Sequence, residues 1–287
     1  MDLKHFIMAN EPYIRSSFFF GILGIMAVWE YLAPRRKLTV SKTIRWANNL
    51  AIVFLNNFVL RLVFPVVAVG VASFAHDNGW GVLNYVELPF WLAAVISIIA
   101  MDFIIYLQHV MVHAIPSLWR LHRVHHADLD FDVTTGARFH PLEIILSMLI
   151  KFATIIVLGP PVVAVVLFEI ILNMTAMFNH SNVKLPLALD KILRLFLVTP
   201  DMHRVHHSVE DDEANSNFGF SLPWWDRAFG TYRAQPRQGH ENMVIGIHKI
   251  RDTKQVSWLP GMLMLPFKGK VSGYTINRRE WNNSDED

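Results

Sequence analysis

Histidine is the residue type in this sequence whose number and spacing point to chemistry. The pentapeptide His-Arg-Val-His-His occurs twice, at 122–126 and at 203–207, in a chain of 287 residues with 14 histidines. On a helix, positions i, i+3 and i+4 share one face, so each copy presents three imidazoles side by side. Neutral imidazole is the commonest side-chain metal ligand near neutral pH, and a chain without cysteine has no thiolate to offer instead. Each copy therefore reads as half of a metal site: His122, His125 and His126 in one, His203, His206 and His207 in the other. His109 and His113, spaced i and i+4 on the continuation of an apolar run, join the pattern through their nearness to the first copy. Four ligands satisfy a structural zinc, so this many imidazoles imply two ions. Imidazole ligation without thiolates suits iron, copper or zinc.

Other candidates flank these. His180, in Met-Phe-Asn-His-Ser-Asn at the end of an apolar run, is either a further ligand or a capping or surface histidine. His140 sits in Arg-Phe-His-Pro-Leu-Glu, where the proline signals a turn or helix start, and is open between ligand and structural histidine. Asn173 lies seven residues before His180 on the same helical face and is a candidate oxygen donor. Asp102, seven residues before His109, and Asp226 are candidates to orient an imidazole, as carboxylates behind metal ligands do. His240 and His248, eight residues apart with no paired neighbour, read as surface histidines. No side chain outside the metal centre is expected to act as a catalytic acid or base.

The elements that must position these residues are apolar. Hydrophobic residues make up 53% of the chain, charged residues 17%, and mean hydropathy is +0.31, a balance that predicts an integral membrane protein. A net charge of +2 carries no nucleic-acid footprint. After a polar Met1 to Arg15, which does not resemble a removable signal peptide, a first span is expected from Ser16 to Leu32, ended by Pro34. A second run extends from Leu50 to Phe74, broken by Asn56, Asn57, Arg61 and Pro65, with Arg61 facing the bundle or snorkelling. A third runs from Pro89 to Leu107. The turn signal Gly159-Pro160-Pro161 splits Ile144 to Leu158 from Val162 to Met177, a helical hairpin whose Lys151 and Glu169 are placed to pair or to face the interior. Ser117 is expected to cap the helix of the first pentapeptide, and Thr199, followed by Pro200, that of the second.

The expected fold is all-α: a polytopic membrane protein with about five membrane-spanning helices and a cytoplasmic, histidine-rich helical cap. One membrane-embedded domain, 1–287, would comprise N-terminal membrane helices (14–107), a histidine region (108–232) containing the hairpin (143–178), and a cytoplasmic tail (233–287). Arg35, Arg36, Lys37, Lys42 and Arg45 between the first two spans mark the cytoplasmic side, and His76 to Glu87, without Lys or Arg, marks the other. The histidines then fall on the cytoplasmic face, with a bacterial inner membrane favoured over the endoplasmic reticulum.

His109-x-x-x-His113, His122-x-x-His125-His126 and His203-x-x-His206-His207 resemble the three histidine boxes of the fatty acid hydroxylase / sterol desaturase superfamily. The likeness extends through Phe178-Asn179-His180, Asn217-Phe218-Gly219 and Trp225-Asp226-Arg227-Ala228-Phe229-Gly230-Thr231, covering roughly His109 to Tyr232. The resemblance implies a membrane-embedded, non-haem di-iron enzyme that uses O2 and electrons to hydroxylate or desaturate a fatty acyl chain, sterol or related membrane lipid. Two iron ions are the implied cofactors. The chain carries no flavin, nicotinamide or iron–sulfur fingerprint, so an external reductase, cytochrome or ferredoxin must supply electrons. Some fatty acid hydroxylases of this family have a further histidine four residues before the one matched by His180. Here that position is Ala176, leaving a tenth ligand to His140 or Asn173.

Hydroxylation is the favoured reaction, with desaturation at the same site as the alternative. A haem protein or a metal carrier would also use membrane-end histidines but explains the doubled box poorly. Haem takes only one or two axial residues, and a carrier would spread its ligands along the spans. Trp224, Trp225, Phe229 and Tyr232 read as an interfacial aromatic belt, or Phe218 to Trp225 as a substrate entrance.

Overall fold

A computed structural model describes residues 3–269, so 270–287 of the expected tail lie outside the described residues. The chain is all-helical, and among the described residues only isolated β-bridges occur, such as Pro34 with Val183. Five segments are long and apolar enough to cross a membrane. They are α1 (Leu3–Leu32), α2 (Lys42–Val63) continued by α3 (Ala68–Asp77), α4 (Phe90–Ala114), and the hairpin arms α6 (Pro141–Leu158) and α7 (Val162–Asn179); the short α5 (Pro116–His126) stands between α4 and the hairpin. The break between α2 and α3 falls at Pro65, whose missing N–H and fixed φ end a helix. Large apolar side chains such as Phe54, Phe58, Leu62 and Val157 point outward from the spans, as expected where the solvent is lipid. Arg61 is exposed at the end of α2, so it snorkels rather than facing the bundle.

The first helix is longer than its polarity suggests. Glu11 and Arg15 do not form a polar lead-in; they pair within α1 at 2.6 Å, and Arg15 reaches Glu169 of α7 at 3.2 Å. Lys151 of α6 contacts the same carboxylate at 2.7 Å, the expected pairing across the hairpin. Charges that neutralise one another can be carried into a bundle that would reject them singly.

The hairpin tip is packed against the connector between α3 and α4. Gly159 ends α6 with φ 68°, and Gly81 of the connector has φ 95°. A Cβ on Gly81 would lie 2.2 Å from the Gly159 amide nitrogen, so backbone meets backbone there. The tip and the connector thus share one end of the bundle. The open ends of the hairpin, near Glu143 and His180, share the other with the C-terminal end of α4.

That second end carries the cap: α8 (Leu187–Leu193), α9 (Pro200–His206), α10 (Asp211–Ala214), α11 (Trp224–Ala228), α12 (Gly239–Asn242), α13 (Thr253–Ser257) and α14 (Leu259–Met264). The last three fold back onto the histidine region. The Arg123 guanidinium donates to the carbonyls of Leu265 and Lys268, and the Leu259 amide donates to Asn48 of α2 at 2.8 Å. Trp119, Val124, Leu129, Ile247, Val256 and Met262 bury a shared apolar core between them. The segment after the first pentapeptide is held by charge. Arg45 of α2 donates to both oxygens of Asp128 at 2.7 Å, and Arg138 approaches Asp128 at 3.3 Å. Burial alone would raise the Asp128 pKa, but the two guanidiniums hold it well below the usual carboxylate range.

Candidate metal centre

The membrane end of α4 supplies His109 and His113, one turn apart on its inner face. Pro116 stands at the first position of α5, with Ile115 before it offering no side-chain cap. Ser117 is therefore inside the helix rather than capping it, because the pre-set φ of proline starts the helix one residue earlier. In α9 the Thr199 hydroxyl accepts from the Met202 amide with Pro200 following, as expected. α7 ends at Asn179 and delivers His180 as its cap residue.

These elements bring nine histidines together in two groups. His109, His113, His122, His126 and His206 form one, and His125, His180, His203 and His207 the other, with one nitrogen of each residue within 4.8 Å of every other in its group. The interleaving follows from the i, i+3, i+4 spacing. In the first pentapeptide His122 and His126 go one way and His125 the other; in the second, His206 separates from His203 and His207. Each box therefore serves both groups.

Burial favours the neutral imidazole at six of these positions, all outside the spans. It pushes His180 and His206 down to about 3 and holds His125, His126, His203 and His207 well below the ordinary imidazole range, with neighbouring imidazoles adding to the effect for the last four. Several nitrogens meet no hydrogen-bond partner despite full burial: His122 Nε2, and both ring nitrogens of His207. Other nitrogens crowd one another: His206 Nε2 lies 3.0 Å from His109 Nε2, and His180 Nε2 lies 3.0 Å from His203 Nε2 and 3.1 Å from His125 Nε2. Unpartnered, converging lone pairs in a dry site fit a pair of bound cations, and the all-imidazole donor set is of the kind that holds iron, copper or zinc.

The far side of four rings is fixed. His109 Nδ1 contacts the Phe218 carbonyl at 2.8 Å, His206 Nδ1 that of Ser216 at 2.7 Å, His180 Nδ1 that of Ala176 at 2.8 Å, and His122 Nδ1 the Glu143 carboxylate at 2.6 Å. A proton held on Nδ1 by these acceptors would leave the Nε2 lone pair free to hold an ion. Nothing in the local spacing marks Glu143; the return of the chain through residues 127–140 sets the start of α6 against α5 and brings it to His122, 21 residues away. The Glu143→Gln variant is expected to lower metal affinity about 10- to 100-fold, read by metal titration of the purified protein. Unchanged affinity would assign Glu143 a packing role only.

The remaining candidates do not reach the centre. His140 caps α6, its Nδ1 accepting from the Leu142 amide and its Nε2 lying 3.3 Å from the Leu263 carbonyl. Asn173 donates to the Glu169 carbonyl of its own helix at 2.8 Å and faces α1. Neither fills the position vacated at Ala176, whose carbonyl instead receives His180. Asp102 and Asp226 do not touch an imidazole. Asp226 accepts from the amides of Phe218 and Gly219 at 2.8 Å and from Thr231, fixing the loop whose carbonyl meets His109. Asp102 accepts from the amides of Ser221 and Leu222 and from Trp225 Nε1. Both act on a backbone loop because a carboxylate buried beside unpaired amides is satisfied there first. Asn217, at φ 52°, turns that loop so that Ser216 and Phe218 face different histidines.

His248 is exposed as expected, but His240 is not a surface residue. It is 4% exposed, bonded to Gln235 at 2.9 Å and 3.6 Å from Asp201. A lone histidine in a helix of four residues has no periodicity from which burial can be read.

Three comparisons bear on this arrangement. The fatty acid hydroxylase family matches residues 94–231. The chain is 26% identical to an ornithine lipid hydroxylase of Rhizobium tropici, over 81% of this chain and 69% of that one. It is 30% identical to human alkylglycerol monooxygenase, over 55% of this chain and 33% of that protein, and 30% identical to a fatty acid hydroxylase of Lecanicillium, over 55% and 47%. The chain thus spans only a third to a half of the last two. No solved structure matches. Because residues 94–231 hold all nine histidines of the two groups in a fatty acid hydroxylase domain, this region of the chain belongs to the fatty acid hydroxylase / sterol desaturase superfamily.

Proposed function

We propose that the protein is a membrane-embedded, non-haem di-iron oxygenase that hydroxylates a membrane lipid. The observation that carries this reading is the convergence of nine buried imidazoles in two groups at the end of apolar helices. When bound, the iron pair would supply activation of O2 for attack on an unactivated C–H bond. The balance is one oxygen atom into the C–H bond and one into water, consuming two electrons and two protons. An external reductase, cytochrome or ferredoxin must supply the electrons.

The chain's own residues hold and dry the centre. His109, His113, His122, His126 and His206 would hold one ion, and His125, His180, His203 and His207 the other. Phe139 stacks on His125 at 4.5 Å, Phe131 lies 5.1 Å from His207 and Phe218 lies 5.1 Å from His113. These rings exclude water and leave apolar walls for a hydrocarbon. No other acid or base is required.

Lipid mass spectrometry of cells with and without the gene is the decisive experiment. Appearance of a lipid heavier by one oxygen supports hydroxylation. A loss of two hydrogens would assign desaturation, and an unchanged lipid profile with a haem spectrum would overturn the reading. The basic cluster after Pro34 supports placing the centre on the cytoplasmic face, and the membrane proposed is a bacterial inner membrane. In intact cells an impermeant thiol reagent should label a cysteine placed at Asn78 but not one at Lys249; the reverse pattern would invert the orientation.

A further inference from the structure

We infer that α8 and α11, outside the five spans, form a lip seated in the lipid interface of the leaflet that holds the histidine groups. The inference rests on the spans crossing a bilayer but not on the metal chemistry. Its first ground is depth. Asp102 precedes His109 by seven residues on α4, which places it about 10 Å deeper toward the bundle's middle. The amides of Ser221 and Leu222 and the Trp225 indole donate to this carboxylate. On α7, Ser221 meets the hydroxyl of Thr175 at 2.9 Å, five residues before His180. The loop leading into α11 therefore descends below the level of the histidines along α4 and α7.

α8 is tied to the same depth. The Trp224 indole donates to the Leu195 carbonyl at 2.7 Å, and the Arg227 guanidinium to the Arg194 carbonyl at 3.0 Å. The inner face of α8 is polar and satisfied: Asp190 is buried and pairs with Arg194 at 2.7 Å. The outer side of α8 and of the turn that follows it carries Leu187, Ile192, Leu195 and Phe196; Trp224 joins them at Leu195, and Phe229 lies where α11 meets α4, each at least 40% exposed. Facing water, this many large apolar side chains along one edge of the cap would be an aggregation-prone surface. The occupant that fits is the boundary of lipid headgroups and acyl chains, into which an apolar helix face sinks by about 5–10 Å. Exposed Lys184 and Lys191 flank the patch where anionic headgroups would lie. The apolar surface continues directly from the lipid-facing spans.

The lip places lipid next to the loop that carries Phe218, whose ring packs 5.6 Å from His109 and 5.4 Å from His206. Phe229 stacks on Tyr106 and Phe103 of α4, and Tyr106 meets Phe218. An unbroken series of rings thus joins the lip to the five-histidine group.

The chain lacks cysteine, so single cysteines at Leu187, Ile192 and Phe196 can each carry a nitroxide without background. In nanodiscs of mixed neutral and anionic lipid, collision with oxygen and with a water-soluble nickel chelate reports the surroundings. A label at Phe58 on the outer face of α2 sets the lipid value, and one at Lys249 the aqueous value. The lip labels should match Phe58, rich in oxygen and poor in nickel. A match to Lys249 would overturn the lip while leaving the spans intact. Low access to both probes would mean that protein covers the patch, and would overturn it equally. Water-like values at Phe58 itself would overturn the membrane reading along with the lip.

Discussion

Replacing His180 by alanine is expected to abolish product formation and to lower metal content toward half, while the protein still inserts in the membrane. His180 is the one imidazole contributed by the hairpin, and its Nε2 stands within 3.1 Å of both His125 and His203. The four-histidine group has fewer donors than its neighbour, so losing one leaves three, and it is the first site expected to empty. His125→Ala should behave in the same way. His206→Ala should deplete the five-histidine group instead, which retains four imidazoles and should keep more of its metal. The exposed His248 provides the contrast: His248→Ala should keep full activity, since surface substitutions usually change stability by no more than about 0.5 kcal/mol. Elemental analysis of purified protein and lipid mass spectrometry read the two effects separately. Full metal and full activity in His180→Ala would remove the hairpin from the centre.

Much of this site was legible in the sequence because its chemistry is locally encoded. Spacings of three and four residues need only a helix to become a ligand face, and a doubled pentapeptide shows that two such faces meet. The five spans were legible for a similar reason, since apolar runs and proline breaks are local signals. What the sequence did not disclose depends on contacts between distant segments. Glu143 reaches His122 only when the start of α6 packs against α5, and Arg45 reaches Asp128 across 83 positions. Arg45 reads in the sequence as one charge of a basic loop, whereas it lies in α2, buried against Asp128 and Asp132. Glu11 and Arg15 looked like a polar leader because neither reveals that Glu169 and Lys151 complete their neutralisation. Asp102 and Asp226 read in the sequence as partners of an imidazole, but each is satisfied by backbone amides of residues 218–222, a contact that residue types alone do not reveal.

Acid should separate the metal-free protein from the loaded one. An imidazole whose folded-state pKa lies below its unfolded value takes up its proton mainly when the chain unfolds, so unfolding binds protons and falling pH favours it. For His180 and His206, pushed down to about 3 by burial, the stability lost begins below the unfolded value of about 6.5 and grows until the folded value is reached. At about pH 5 each of the two would have cost the folded state about 2 kcal/mol. The other buried ring nitrogens shift in the same direction, and so does His240, which is also pushed down to about 3 by burial. Against a net stability of about 5–15 kcal/mol, the metal-free protein should melt at a much lower temperature at pH 5 than at pH 7.5. Bound cations compete with protons for the same nitrogens, so the loaded protein should hold its melting temperature further into acid and then lose it together with its metal. A melting temperature of the metal-free protein that stays flat between these pH values would mean that the imidazoles accept protons without unfolding, and that the centre is wetter than its burial indicates.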